Sequence, residues 1–291
     1  MSKVVLVTGG AGFIGSHLIE KLKEDKNAVI ISLDNYFTGK KENHHDGVTY
    51  IEGHTKDIDI LITTKPDIVY HLGEYSRVER SFEDVAKVFE FNKVGTFAVI
   101  EFCRKHNAKL VYAGSSTKFG DGGLGRNQSP YAWTKASNTE LINNYASWFG
   151  INHAIVYFYN VYGGREISSG KYATVVAIFK EKYKNKEPTE VVSPGTQLRN
   201  FTHIEDIVRG LILVGEKGQG DDYGIGAEEA HSILDLAKMF NTSIIMLPER
   251  KGNRMGAMVN TNRIKNELGW EAKNKLKDHI LEFISLHKDN Q

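Results

Sequence analysis

The stretch QSPYAWTK, residues 128–135, sets a tyrosine four positions ahead of a lysine. Ser129 and Pro130 suit the N-cap and first position of a helix, on which Tyr131 and Lys135 are i and i+4 neighbours. An ammonium beside a phenol favours the phenolate. A phenolate can take the proton of a sugar or alcohol hydroxyl as hydride leaves the carbon, while the lysine holds a nicotinamide ribose. An i, i+4 pair on a solvated face has the same spacing. The upstream segment YAGSSTKFG separates the two readings, because there an apolar strand ends in Ser115, Ser116 and Thr117. Hydroxyls at the C-terminal edge of a parallel sheet lie where such sheets hold ligands.

A second constellation stands near the start. TGGAGFIG puts Gly9, Gly12 and Gly15 at three-residue spacing between an apolar strand and a helical pattern. Glycine lets the chain turn tightly and lets a pyrophosphate approach backbone N–H groups at a helix N-terminus. A plain glycine-rich turn would look similar, but Asp34 closes the next strand nineteen residues beyond Gly15. A carboxylate there can accept both ribose hydroxyls and repels the extra phosphate of NADP, so the pattern points to NAD.

Such residues need a frame. KVVLVTG, AVIISLD, VTYIEG, DIVYHLG and KLVYAGSS are apolar runs of strand length, and helical patterns intervene, one with Phe82, Val85 and Phe89 on one stripe. This alternation predicts an α/β fold with a doubly wound parallel sheet. INHAIVYFYNVYG reads as another buried strand. Beyond it the pattern turns irregular, with a strand near RNFTHI, a helix from Asp206 to about Val214, and a mixed α/β region to the end. We therefore expect a dinucleotide-binding domain over 1–160 and a smaller mixed α/β substrate domain over 161–291, with part of 196–216 returning to the first.

Glycine turn, Asp34-Asn35, NKVGT, the serine cluster, Tyr-x-x-x-Lys and FYNVYG together resemble the extended short-chain dehydrogenase/reductase family, in its nucleotide-sugar epimerase group. The likeness runs over nearly the whole chain. It implies a Rossmann domain holding NAD, a C-terminal domain gripping a nucleotide-diphosphate sugar, and a homodimer. By the family pattern the cofactor contacts fall on Gly9, Gly12, Phe13, Ile14, Gly15, Asp34, Asn35, Leu72, Tyr131 and Lys135. Ser115 matches the catalytic hydroxyl that bonds the sugar, Tyr131 the general base and Lys135 its electrostatic partner. Asn160, Arg199 and Arg250 match contacts to the substrate diphosphate, a group that rigid guanidinium forks suit.

The register also bears on the reaction. Family dehydratases carry an acid just after the catalytic hydroxyl, where this chain has Ser116 and Thr117, which cannot serve as strong acid or base. Elimination and decarboxylation are thereby disfavoured, leaving epimerisation at C4 through a transient 4-keto sugar. The alternatives are a 4,6-dehydratase or 4-keto-reductase in which Glu74 takes an acid role, and a non-catalytic NAD-binding regulator. Glu74 replaces a small residue and is expected to pair with Arg77 or Arg80. His54 stands where an aspartate usually contacts adenine, Tyr157 and Phe158 replace an Arg-Tyr pair, and Phe119 replaces a frequent tyrosine. The stretches 120–129 and 164–172 are shorter than in many relatives, and Ala257, at a gate that is bulky in strict hexose epimerases, would admit N-acetylhexosamines.

Bulk properties exclude other classes. A net charge of +1 over 291 residues offers no basic surface for nucleic acid or membrane, and no apolar run is long enough to cross a bilayer. One cysteine, Cys103, cannot form an internal disulfide, which suits a reducing cytoplasm. His44, His45, His203 and His231 lack metal-ligand spacing, so no metal site is expected. Leu141, Tyr145 and Trp148 share a helical face that suits core or dimer packing.

Overall fold

The computed structural model describes residues 2–119, 125–249 and 260–288. The apolar runs become strands β1 (Val4–Thr8), β2 (Val29–Asp34), β3 (Thr49–Glu52), β4 (Ile68–His71), β5 (Lys109–Ser115) and β6 (His153–Phe158). Helices α1 (Phe13–Leu22), α2 (Ile58–Leu61), α3 (Val85–Val88), α4 (Thr96–His106) and α5 (Pro130–Phe149) connect them. The chain continues through β7 (Val161–Tyr162), α6 (Val175–Lys184), β8 (Thr189–Val192), β9 (Leu198–Asn200) and β10 (Thr202–His203). It then forms α7 (Ile204–Lys217), β11 (Gly220–Ile225), β12 (Ala230–Ser232), α8 (Ile233–Met239), β13 (Ile244–Leu247), α9 (Asn262–Leu268) and α10 (Leu276–His287).

Seven strands pair in the order β11-β6-β5-β4-β1-β2-β3, every neighbour parallel. The chain order reverses between β1 and β4, and such a switch point opens a crevice at the carboxyl ends of the strands. Register sets the residues there: Thr8 lies beside Leu33 on one side and His71 on the other, and Ser115 beside Phe158. Both sheet faces are covered, which is why the strands read as continuous apolar runs. Val7, Leu18, Val208, Leu211 and Trp270 belong to one layer, and Leu6, Val69, Ile100, Phe102 and Ile142 to the other.

The second half does not stay apart from the first. Residues 204–225 return to it: Ile204, Ile207, Val208, Leu211 and Val214 of α7 join the sheet core, and β11 extends the sheet beside β6. That stretch runs further than the expected 196–216. The β-branched and aromatic residues of β11 are what sequence patterning overlooked, because GDDYGI carries two aspartates in the run. The remainder builds a smaller core from Phe179, Tyr183, Phe201, Leu236, Phe240 and Ile280. The predicted stripe of Phe82, Val85 and Phe89 is not one helix. A 3-10 turn, the four-residue α3 and a π turn over Phe89–Gly95 divide it, and all three side chains stay exposed.

Candidate active site

The helix that positions Tyr131 starts as the sequence dictates. The Ser129 hydroxyl accepts from the Ala132 N–H at 3.0 Å, Pro130 is the first helical residue, and Gly150 closes α5 in the left-handed conformation. Tyr131 is half-buried one turn before the buried Lys135. Ser115, the last residue of β5, has its hydroxyl 2.9 Å from that of Thr117, and it also accepts the Thr117 N–H at 3.3 Å.

The glycine turn closes through Gly12 N–H donating to Gly9 carbonyl at 3.1 Å, and α1 begins at Phe13. A Cβ on Gly15 would lie 2.1 Å from the Gly9 carbonyl oxygen, so only glycine permits the turn to pack on its helix. Asp34 fixes the same turn from β2. Its Oδ2 accepts from Ala11 N–H at 2.9 Å and its Oδ1 from Tyr36 N–H at 2.8 Å. Burial pushes this carboxyl above its ordinary range, and those two N–H bonds oppose the rise. Asn35 accepts from the Phe37 N–H at 3.1 Å, an Asx turn that leads the chain away from the sheet edge.

The glycine turn and the candidate side chains share one cavity of about 520 Å³ at the carboxyl ends of the strands. Gly9, Gly12, Phe13, Ile14, Gly15, Asp34, Asn35 and Leu72 line it together with Ser115, Tyr131, Lys135 and Asn160. Asn160 adopts φ +30°, a backbone region asparagine tolerates, and its amide donates to the Asn200 carbonyl at 3.3 Å. Arg199 does not line the cavity; it sits in β9 beside His231 of β12. Arg250 and Ala257 lie outside the described residues. Among the described residues no group of three or more His, Cys, Asp or Glu is placed to hold a metal ion.

Glu74 does not pair with Arg77 or Arg80. Arg80 meets Glu83 at 2.9 Å, and the Nε of Arg77 donates to the Tyr172 carbonyl at 2.9 Å. Glu74 instead turns inward and pairs with Lys135, whose ammonium also donates to the Ala113 carbonyl. The reason is burial: a carboxylate inside this floor needs donors, and Lys135, Thr96, Tyr112 and Asn138 all supply them. Sequence reasoning missed this network. The NKVGT motif carried a signal, since Asn92 bonds the backbone of Tyr75, Lys93 donates to Asn138 at 2.8 Å, and Thr96 reaches Glu74. The fully buried His71 was missed altogether, because a histidine ending an apolar strand looks like any core residue.

Two features of the cavity fit a dinucleotide. Its floor is bare backbone, where a Cβ on Gly9 would lie 2.8 Å from Gly73. Farther along, the buried Nε2 of His54 has no hydrogen-bond partner, while the ring lines the cavity and packs edge-on against Phe91. The ring offers the cavity an aromatic surface for a base, while its Nε2 is closed off from it.

A parallel sheet with this strand order, a glycine cradle at its switch point and a Ser-Tyr-Lys set on the facing wall define a dinucleotide-dependent enzyme of the Rossmann class. The chain belongs to the NAD dependent epimerase/dehydratase family, whose model matches residues 5–226. NAD is accordingly its cofactor. It is 30% identical to a putative UDP-glucose 4-epimerase of Methanocaldococcus jannaschii, over 99% of both chains. It is 29% identical to UDP-glucuronic acid decarboxylase 6 of Arabidopsis thaliana, over 95% of this chain and 86% of that one. Among solved structures, a UDP-glucose 4-epimerase of Thermotoga maritima with UDP-glucose superposes with a TM-score of 0.91. It shares 27% identity and is matched over 99% of this chain and 100% of that one.

Proposed function

We propose that this protein is an NAD-dependent epimerase that inverts C4 of a nucleotide-diphosphate sugar. The observation that carries the reading is the convergence of Ser115, Tyr131 and Lys135 on the same cavity as the glycine turn and Asp34. NAD, held by the glycine turn, Asp34 and Lys135, would supply the hydride exchange at C4. Tyr131 is the base: its phenolic oxygen takes the proton of the C4 hydroxyl and gives it back after the keto sugar has turned over in the cavity. The Ser115 hydroxyl orients the same sugar oxygen, and Lys135 holds the cofactor ribose. Asp34 and Asn35 bind the adenosine ribose, the Gly9–Gly15 turn the pyrophosphate, and Asn160 and Arg250 the sugar diphosphate, which Arg199, outside the cavity wall in β9, must swing inward to reach. Residues 161–291, apart from the returning stretch, serve mainly as the substrate domain.

A dehydratase or decarboxylase reading has relatives in its favour, since UDP-glucuronic acid decarboxylases match at similar identity. Against it stands the chemistry of the site. Ser116 and Thr117 follow Ser115, and Glu74, a carboxylate lining the same cavity, has both oxygens engaged by donors. NMR of products from a panel of UDP-, GDP-, CDP- and dTDP-sugars tests the proposal. C4 inversion with no change of redox state is expected; a 6-deoxy-4-keto sugar or a pentose product would refute it. Turnover of UDP-N-acetylglucosamine beside UDP-glucose reads the expectation placed on Ala257.

The protein also presents an apolar face that a second copy would cover. Phe89 stacks on Trp133 with ring centroids 5.6 Å apart, and Val94, Phe97, Trp148 and Phe149 are exposed nearby in sequence on the π turn, α4 and α5. We read this face as a homodimer interface of a cytoplasmic enzyme. Sedimentation should find a dimer that Phe97→Glu converts to monomer; an unchanged dimer would place the interface elsewhere.

A further inference from the structure

Lys135 is held more tightly than its proposed work requires. Its side chain is 6% exposed, and its ammonium lies between the Glu74 carboxylate and the Ala113 carbonyl, 4.6 Å from the centre of the Tyr112 ring. An ammonium has three N–H donors, so these two bonds leave one. Glu74, 3% exposed, accepts at Oε1 from the Thr96 hydroxyl at 2.8 Å, the Tyr112 hydroxyl at 3.1 Å and the Asn138 amide at 3.2 Å. Behind Thr96 the chain goes on: His71 Nε2 lies 2.9 Å from the Thr96 oxygen, and His71 Nδ1 lies 2.7 Å from the Thr8 hydroxyl. The Thr8 oxygen in turn accepts the Gly73 N–H at 3.1 Å. With the ring proton on Nε2, every donor in this series meets an acceptor.

We propose that Glu74 is a positioning residue for the reaction, the buried counter-ion that pins Lys135 and cancels most of its charge, so that Tyr131 faces the dipole of a neutralised pair instead of a free cation and the remaining N–H is left for the cofactor ribose. The proposal rests on the reading of Tyr131 as the base. A lone ammonium within about 4–6 Å moves a neighbouring group by roughly one to three pH units. A carboxylate joined to that ammonium leaves a local dipole, whose reach is far shorter.

The surrounding groups do not obscure this. Burial, and after it the charge of Glu74, pushes the Tyr112 phenol well above its ordinary range, and burial holds His71 down at about 4. Both are therefore neutral at moderate pH. Lys93 feels Glu74 but donates to Ser137 and Asn138, while Arg77 feels Tyr131 from its anchor on the Tyr172 carbonyl. Arg77 and Lys93 are unaltered in every variant below, so their fields cancel in the comparison.

The Tyr131 phenol can be titrated without turnover, by ultraviolet phenolate absorbance of NAD-loaded protein with the Tyr131→Phe spectrum subtracted. Glu74→Gln removes the counter-charge, so the midpoint should fall by on the order of one pH unit, and the acid limb of the rate profile should fall with it. Glu74→Asp keeps the charge and should stay close to wild type. Glu74→Gln combined with Lys135→Met removes both charges and should bring the midpoint back. A midpoint that Glu74→Gln leaves unmoved, or that Glu74→Asp moves equally, makes the carboxylate a structural group only and overturns the proposal. Should Glu74→Gln fail to fold, Lys135→Met alone should titrate higher than the double variant, and equal midpoints would be as damaging. Absorbance that shifts as described with no sugar turned over would leave Glu74 in this role and sink the epimerase reading instead.

Discussion

Gly9 and Gly73 touch backbone to backbone at the floor of the cavity. A Cβ on Gly9 would stand 2.8 Å from both the Cα and the nitrogen of Gly73, and a Cβ on Gly73 would stand 2.9 Å from the Gly9 nitrogen. Gly9 has φ +74°, in the left-handed region, so its conformation alone would already strain any other residue. Gly73 carries no such backbone demand and isolates the contact. Gly73→Ala must push apart the loops that leave β1 and β4, and with them the Thr8 hydroxyl that accepts the Gly73 N–H. We expect it to cost about 1–3 kcal/mol of stability and to weaken NAD binding at least tenfold, read by denaturant unfolding and calorimetric titration. An NAD affinity equal to wild type would show that the floor is not part of the cradle.

The proposed base invites a sharper separation of binding from chemistry. Tyr131 lines the cavity with Ser115, yet the described hydrogen bonds of its neighbours run to other groups: Ser115 to Thr117, and Lys135 to Glu74 and Ala113. Removing its hydroxyl therefore disturbs no packed network. Tyr131→Phe should leave NAD affinity within a few-fold of wild type while turnover falls by roughly a hundredfold to ten-thousandfold. Product NMR and calorimetry on the same preparation decide it. Turnover at the wild-type rate would assign the base elsewhere.

What was legible in the sequence was whatever local chemistry dictates. The strand before the glycine turn, the acid that ends β2 and the Ser-Pro start of α5 each follow from neighbours in the chain, and each stands where patterning put it. Tertiary partners were not legible. Glu74 was expected to meet an arginine three or six residues away in sequence, but it meets Lys135, sixty-one residues on, because only the folded floor brings β4 and α5 together. His54 replaces an acid in the family pattern, and its buried, unpartnered Nε2 emerges only when Phe91 packs against the ring. Part of 196–216 was expected to return to the first domain, and α7 lies there; the further run into β11 escaped, because the two aspartates of GDDYGI mask a strand that only its pairing with β6 reveals.

The ring of His71 carries a consequence for stability. It is wholly buried between Thr8 and Thr96. Burial lowers its pKa from 6.5 to about 4, with Glu74 opposing and Lys135 assisting. In the unfolded chain the same ring titrates near 6.5. Between those two values the unfolded chain binds a proton that the folded chain refuses, so stability is lost as pH falls from about 6.5 to about 4 and is level above that window. A depression of this size corresponds to roughly 3 kcal/mol. His279 adds to the same slope, since burial, then Lys180 and His203, hold it at about 4 as well. His71→Gln cannot take up the proton. It should be less stable than wild type near neutrality, yet lose roughly 3 kcal/mol less on acidification across the window. Urea unfolding at a series of pH values gives both curves. If the two fall in parallel, His71 takes up the proton in the fold as well, and the Thr8 hydroxyl must accept from its Nδ1 instead of donating to it.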